Sequence, residues 1–472
     1  MKIKSNGNIV IFDQIIAANK VSIESTNDVQ IIPEGGVKTF GLENIRANEV
    51  DIAAVGLIEN TGALVTGSAY FSSDKFINEG DIETARDIYI HGKSDVVNRF
   101  GGVILGENID LKSERKVTNG SLYPYRLVSA ENFTSGISKL SRSVNKEPDF
   151  ITGGITSVPA PSEGFNKVEV DNLDAFILGQ NVRVEAREFI NANPYAVSRH
   201  SKDQPELILD YQKSSQVIVS AESTLELQLG YRFWNMSAIA ESWTGNTIIQ
   251  APVIDNERYS LWGSTDSKRV TKPKPDYCND PFFIFHKIIS PAGCRTDKTV
   301  LTHSQYIKTL SPQSRLHAGN HLILKSHDLF NEHSVIEAKQ DVVGTVSYVW
   351  MEGLSLRDVW ETTTVTHHQR SYCTKRILRS CRRRRTDFWT TSRADLTKNE
   401  ETQQFPFVFF VGGHLHKGFG SASIKNQDIT YGPYATSYLP KVMPPKIGKP
   451  SKYIPIINDG ITLFIINPNF KA

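Results

Sequence analysis

The stretch VILGENIDL, residues 103–111, decides the fold of this chain. Its second half, GENIDL, follows a six-residue pattern. The pattern consists of a small residue, any residue, Asn or Asp, an apolar residue, any residue and a second apolar residue. The same pattern occurs at residues 18–23, 47–52 and 85–90. Because side chains alternate between the two faces of a strand, each copy predicts a short strand with one buried face.

Asparagines mark the turns between these strands at a regular spacing. Asn60, Asn78, Asn98 and Asn119 are separated by 18, 20 and 21 residues, so the repeat is about 20 residues long. One such repeat cannot bury its own apolar face, and consecutive repeats must stack. The sequence therefore predicts a right-handed parallel β-helix with Val, Ile and Leu inside and hydrogen-bonded asparagine ladders. A β-sandwich, which also has short strands between turns, is the alternative.

The same phrase returns later in the chain. It reappears as FILGQNVRV at 176–184 and as SRLHAGNHLIL at 314–324. We therefore expect an all-β chain with a β-helix over 1–199, interrupted by a loop excursion at about 121–171. A divergent, β-rich decorated region over 200–440 would contain further coils near 314–342. Residues 441–472 are predicted to be a Pro-rich extended segment, because neighbouring prolines block both helix and central strand.

Composition excludes several classes of protein. The chain has 472 residues, of which 39% are hydrophobic and 22% charged, and its formal net charge is only +2. These values are typical of a folded, soluble protein. A net charge so close to zero produces no overall electrostatic attraction to nucleic acid or to a membrane surface. No apolar run reaches the roughly 18 residues that a membrane-spanning helix needs. The first residues also lack a secretory signal.

Two phrases carry a family resemblance. GGVILG at 101–106 and LHAGNHL at 316–322 resemble the haemagglutinin repeats of two-partner-secretion exoproteins, which include filamentous haemagglutinin and CdiA-type contact-dependent growth inhibition effectors. Residues 461–468 are similar to the segment that closes the central region of such effectors. The secretion domain and the toxin of full-length members are absent from this sequence.

The resemblance implies a location and partners. The chain would be part of a longer exoprotein that is secreted through an outer-membrane two-partner-secretion transporter and displayed on the bacterial cell surface. Its decorated region would be a receptor-binding region that recognises an outer-membrane protein or lipopolysaccharide of a target bacterium. A host-directed adhesin of the same secretion class is the alternative function.

The divergent region concentrates the residue types that bind partners. All six Trp, all four Cys and eleven of the twelve His lie between residues 200 and 416. Tryptophans at a surface often contribute much of the binding energy of an interface. The guanidinium group of arginine can bind a phosphate or carboxylate through two parallel hydrogen bonds. A solvated basic loop and tryptophans that only fill a core are the alternatives. The predicted receptor-binding residues are Arg376, Arg379, Arg382, Arg383, Arg384, Arg385, Trp350, Trp360 and Trp389.

The four cysteines fall into two pairs along the chain. Cys278 with Cys294, and Cys373 with Cys381, suggest two local disulfides, although four cysteines allow three connectivities. A zinc site would require closer spacing. His414 and His416 could share one face of a strand, but no carboxylate or cysteine lies near them in sequence. We expect neither a metal nor a cofactor.

An enzyme is the remaining competitor, because parallel β-helices also carry polysaccharide-degrading active sites. Such chemistry needs paired carboxylates. The sequence has no Asp-Asp dipeptide and no G-x-S-x-G nucleophile motif. We therefore expect a non-catalytic protein, with a β-helical polysaccharide-degrading enzyme as the second alternative.

Overall fold

In the residues that it describes, the computed structural model contains only strands and irregular segments. It describes residues 1–33, 44–129, 165–199, 209, 215–276, 293–377, 380–416, 418–428, 453–458 and 461–466. Within these ranges the chain is all-β, as predicted, and no helix there could cross a bilayer.

Strands of the first part of the chain are β1 (Lys2–Ser5), β2 (Ile9–Ile11), β3 (Ile15–Ile16), β4 (Lys20–Ser25), β5 (Val29–Ile31), β6 (Ile45–Ala54), β7 (Leu57–Asn60), β8 (Ala63–Asn78), β9 (Asp81–Thr84), β10 (Asp87–Asn98), β11 (Gly102–Ser113), β12 (Lys116–Gly120), β13 (Tyr125–Ser129), β14 (Phe165–Glu169), β15 (Ala175–Ala192) and β16 (Val197–Ser198). The later strands are β17 (Val217–Met236), β18 (Ile239–Ser242), β19 (Thr247–Gln250), β20 (Val253–Glu257), β21 (Leu261–Asp276), β22 (Gly293–Leu310), β23 (Arg315–Ala318), β24 (Leu322–Glu332), β25 (Val335–Ala338), β26 (Val342–Ile377), β27 (Ser380–Phe405), β28 (Val408–Val411), β29 (Phe419–Asp428), β30 (Tyr453–Asn458) and β31 (Ile461–Ile466).

Parallel pairing between successive turns of the chain builds the coil. Strands β8, β10, β11, β15, β17 and β24 each pair in parallel with strands of the preceding and following coils. This continuous stacking of parallel strands is the arrangement of a parallel β-helix. The right hand of the coil stays a prediction.

One column of apolar side chains shows how the core is filled. Its members lie in register on consecutive coils, and each is almost completely buried: Ile23, Ile52, Phe71, Ile90, Leu111, Val184, Leu227, Ile249 and Leu324. Burial of one such side chain contributes about 1.5–3 kcal/mol. The column ends at Gly344, which lies opposite Leu324 with φ at +137°. A Cβ there would lie 1.7 Å from the Leu324 carbonyl oxygen.

A buried asparagine ladder runs along one corner of the coil. Its eight rungs are Asn60, Asn78, Asn98, Asn119, Asn191, Asn235, Asn256 and Asn331. Each Nδ2 donates to the Oδ1 of the next rung at 2.8 or 2.9 Å. The predicted hydrogen-bonded ladder is therefore confirmed. Met351 follows Asn331 in register and ends it.

Long insertions leave the coil from this same corner. After Asn119 the next coil strand begins at Ala175, and after Asn256 it begins at Arg315. After Met351 it begins at Val408. Because the ladder residues stack directly above one another, these insertions emerge on one side of the coil. The decorated region therefore consists of insertions between coils that continue beneath it.

Two insertions combine into a four-stranded antiparallel sheet, which we call the arm. It consists of β21, β22, β27 and the part of β26 that begins at Leu354, in the order β21-β22-β26-β27. The same β26 pairs in parallel with β24 before that point, so one strand passes from the coil into the arm. Apolar residues at the base of the arm form a separate buried cluster: Leu209, Ile307, Leu310, Leu354, Leu356 and Phe405.

The described residues refine the predicted organisation in three places. Coil strands also occupy 217–257, between the two predicted blocks of repeats. The excursion at 121–171 contains the antiparallel pair β13–β14. In the segment 441–472, the described strands β30 and β31 form a hairpin, whereas the proline-rich run before residue 453 lies outside the described residues.

Candidate binding surface

The arm is the most extended decoration that the structure describes. Its central strand runs from Leu354 to Ile377, roughly 75 Å at the usual rise of a strand. Most described side chains beyond Val359 are half-buried or exposed, although the base is buried. The arm thus presents two wide faces and a tip, as a binding element requires.

The tip carries the arginines that the sequence singles out. Arg382, Arg383 and Arg385 are exposed on β27, and the Arg385 Nε lies 3.1 Å from the Asp387 Oδ1. The side chains of Arg376, Arg379 and Arg384 lie outside the described residues. The described arginines therefore stand where a partner could reach them.

The three candidate tryptophans do not form one group. Trp360 and Trp389 share a face of the arm but are eight residues apart along it, roughly 27 Å. Trp389 is 45% exposed and stacks on His368, with ring centroids 5.0 Å apart. Trp350 instead lies on the coil part of β26, where its Nε1 donates to the Glu352 Oε2 at 2.8 Å.

Lysines from β21 and β22 join this face, and sequence reasoning missed them. Lys268, Lys272 and Lys298 are exposed on the same side as Trp360. The sequence did contain a pattern that predicts part of this arrangement. Lys268 and Lys272 are an even number of residues apart and therefore share one face of an extended strand. Their approach to β27 depends on strand pairing.

One of the four cysteines is described as part of a disulfide. Cys373 is disulfide-bonded. The side chains of Cys278, Cys294 and Cys381 lie outside the described residues, so the predicted local pairing stays a prediction. A covalent link at Cys373 restrains β26 near the tip.

Stacked carboxylates lie at the base of the arm, where it leaves the coil. Glu257, Glu332 and Glu352 are in register on consecutive coils. Burial raises the pKa of Glu257 to about 7, although the indole of Trp234 donates to it. Burial and the neighbouring carboxylates raise the pKa of Glu332 to about 8. These pKa values indicate that protons are held here near neutral pH.

The carboxylate of Asp341, near the end of the coil, is approached by one histidine from the preceding coil and one from the following coil. The Asp341 Oδ2 lies 3.6 Å from the His321 Nδ1 and 3.5 Å from the His416 Nε2. The backbone N–H of His414 donates to the Asp341 Oδ1 at 2.7 Å, and this hydrogen bond is the largest cause of the lowered pKa of Asp341. Among the described residues, no set of three His, Cys, Asp or Glu is arranged to hold a metal ion.

Comparisons with protein-family models, with curated proteins and with solved structures found no match for this chain. The function is therefore inferred from the arm and from the repeat pattern.

Proposed function

We propose that the chain is a segment of a cell-surface filament and that its arm binds an outer-membrane receptor on a target bacterium during contact-dependent growth inhibition, without catalysis. The observation that carries this proposal is the arm itself: two insertions, 261–310 and 354–405, leave one corner of the coil and pair into one sheet. A rigid coil that displays a long sheet on one side is suited to reaching a partner.

The surface of the arm supports binding. Large aromatic side chains are exposed there: Trp262 is 41% exposed, Phe388 74% and Trp389 45%. Exposed aromatic rings with arginines beside them are the side chains that dominate the energy of protein interfaces.

Removal of the arm hairpin tests the proposal. In the surface-displayed exoprotein, residues 357–402 are replaced by a short Gly-Ser turn, which retains Leu354, Leu356 and Phe405 at the base. We expect adhesion to target cells, counted by flow cytometry, to fall at least tenfold. The matched control deletes 130–164, because Ser129 and Phe165 are already opposite one another and a turn can join them. Wild-type adhesion without the arm hairpin would refute the proposal.

Transplantation distinguishes the two forms of the proposal. If residues 200–440 are exchanged between exoproteins, the choice of target bacterium is expected to follow the exchanged segment. A host-directed adhesin would instead transfer attachment to host cells.

Neutralising the tip is a finer test. We expect the triple variant Arg382→Ser, Arg383→Ser, Arg385→Ser to bind target cells about tenfold more weakly at low salt, with a shallower dependence on salt, because exposed charges are screened. The control removes equal charge from exposed coil lysines, as Lys93→Ser, Lys325→Ser, Lys339→Ser. If both variants lose the same affinity, net charge rather than the tip is responsible.

A further inference from the structure

One face of the arm is organised in rows of cations. Residues directly opposite on neighbouring strands share a face. One row across the four strands reads Lys272, Lys298, Thr364 and Arg393. Four residues along β21, a second row reads Lys268, Thr302, Trp360 and Lys398. We call the surface formed by these two rows, the rows between them and those up to Trp389 the basic face.

Three lysines of the basic face have no acidic partner among the described residues, whereas Lys398 lies 3.1 Å from the Glu400 Oε2. Lys272 and Lys298 lie directly opposite each other, and like charges in that position destabilise a sheet. Lys268, Lys272 and Lys298 make no ion pair with any described residue. Repulsion that destabilises the sheet, without a compensating contact inside it, is expected where the lysines bind an anion from outside the protein.

The other face of the arm differs in charge. It carries Arg269 but also Asp297 and Glu361, and the His367 Nε2 lies 3.1 Å from the Asp297 Oδ2. Opposite signs are therefore mixed there. On the face of the lysines, the next row towards the base carries Asp266, Asp358 and Glu400. The accumulation of positive charge is therefore confined to the lysine rows.

Hydroxyl groups and an aromatic ring lie among the cations. The threonines of the basic face are Thr296, Thr302, Thr362, Thr364, Thr366 and Thr391. A hydroxyl both donates and accepts hydrogen bonds, which matches a ligand that is itself rich in hydroxyls. Trp389, held flat against His368 at an interplanar angle of 5°, provides an apolar platform for a ring.

We propose that the basic face binds an anionic glycan. The phosphate or carboxylate groups of the glycan lie between Lys268, Lys272 and Lys298, its hydroxyls bond to the threonines, and one sugar ring packs on Trp389. The lysine rows are about 14 Å apart, so several saccharide units are engaged. This inference rests on the proposed function of the arm and names the chemistry of its ligand.

Binding of defined polymers tests the inference. The probes are polygalacturonate and heparin as anionic glycans, dextran as a neutral glycan and polyglutamate as an acidic polypeptide. Wild-type protein is expected to bind the two anionic glycans at 0.1 M salt more tightly than polyglutamate, and not to bind dextran. The variant Lys268→Gln, Lys272→Gln, Lys298→Gln is expected to bind them at least tenfold more weakly. Lys93→Gln, Lys325→Gln, Lys339→Gln is the matched control, and thermal unfolding followed by circular dichroism verifies that both variants fold.

The outcomes separate the two proposals. Trp389→Ala should weaken binding of the glycans but not of polyglutamate. Wild-type affinity in the lysine variant, or absence of glycan binding by the wild type, overturns the inference. Polyglutamate bound as tightly as the glycans would overturn it in favour of an acidic protein. Failure of the arm deletion to reduce adhesion refutes the proposed function itself and does not depend on these affinities.

Discussion

Replacement of Asn191 with Asp is expected to lower the free energy of unfolding by about 3 kcal/mol or more at pH 8, although the two side chains have nearly the same shape. The Asn191 Nδ2 donates to the Asn235 Oδ1 at 2.8 Å and to the Ile239 carbonyl oxygen at 2.9 Å. Aspartate removes both donors. It also places a carboxylate against two oxygens at a site that is 0% exposed.

An exposed ladder provides the matched control. The Asn181 Nδ2 donates to the Asn108 Oδ1 at 3.0 Å on the surface of the same coils. Because water can solvate the new carboxylate there, Asn181→Asp is expected to change stability by less than about 1 kcal/mol. Denaturant midpoints of both variants, measured with the wild type, decide the question. Equal midpoints for the two variants would show that the buried ladder is not a major source of stability.

The second large effect is a dependence of stability on pH at the carboxylate stack. An isolated glutamate has a pKa near 4.5, whereas the folded pKa of Glu332 is about 8. Between these values the folded state retains a proton that the unfolded state has lost. The free energy of unfolding must therefore fall as pH rises through this range and level off above about pH 8. The expected loss is on the order of a few kcal/mol.

Other charged groups around the stack adjust this range. Glu257, with its pKa raised to about 7, adds a loss of the same sign between about pH 4.5 and 7. Burial also raises the pKa of Asp255, although the neighbouring Arg232 opposes the rise. Glu352 completes the stack. The effect thus arises from taking several carboxyl groups out of water together, which disfavours their charged forms.

Glu332→Gln isolates the contribution of one carboxyl group. Glutamine resembles the protonated acid, so the variant should match the wild type near pH 5 and exceed its stability by on the order of 2 kcal/mol at pH 9. Glu222→Gln, on an exposed coil position, is the control and should leave the pH profile unchanged. An identical pH profile for Glu332→Gln and wild type would contradict the prediction.

The candidate surface was only partly predictable. The arginines of the tip are adjacent in the sequence, so a local pattern reveals Arg382, Arg383 and Arg385. Trp350 belongs to the same region of concentrated Trp, Cys and His but lies on the coil part of β26. Lys268, Lys272 and Lys298 of the basic face lie more than 80 residues before the tip, and no local pattern pairs them with β27. Likewise, a whole inserted hairpin separates Glu257 from Glu332 in the sequence, and the two residues meet because β20 and β24 pair in parallel on adjacent coils.

The sequence by itself determined the coil. Alternating apolar residues and asparagines at a spacing of about 20 residues are properties of a linear pattern, and stacking in register is the arrangement that buries the apolar face of every repeat. The tertiary structure alone decided the arm and its two faces. A strand has a side-chain period of two, so a slip of one residue between β22 and β26 would transfer every side chain to the opposite face. The register of strands that are distant in sequence, fixed by the corner from which they leave the coil and by the packing at their base, therefore determines which charges come together.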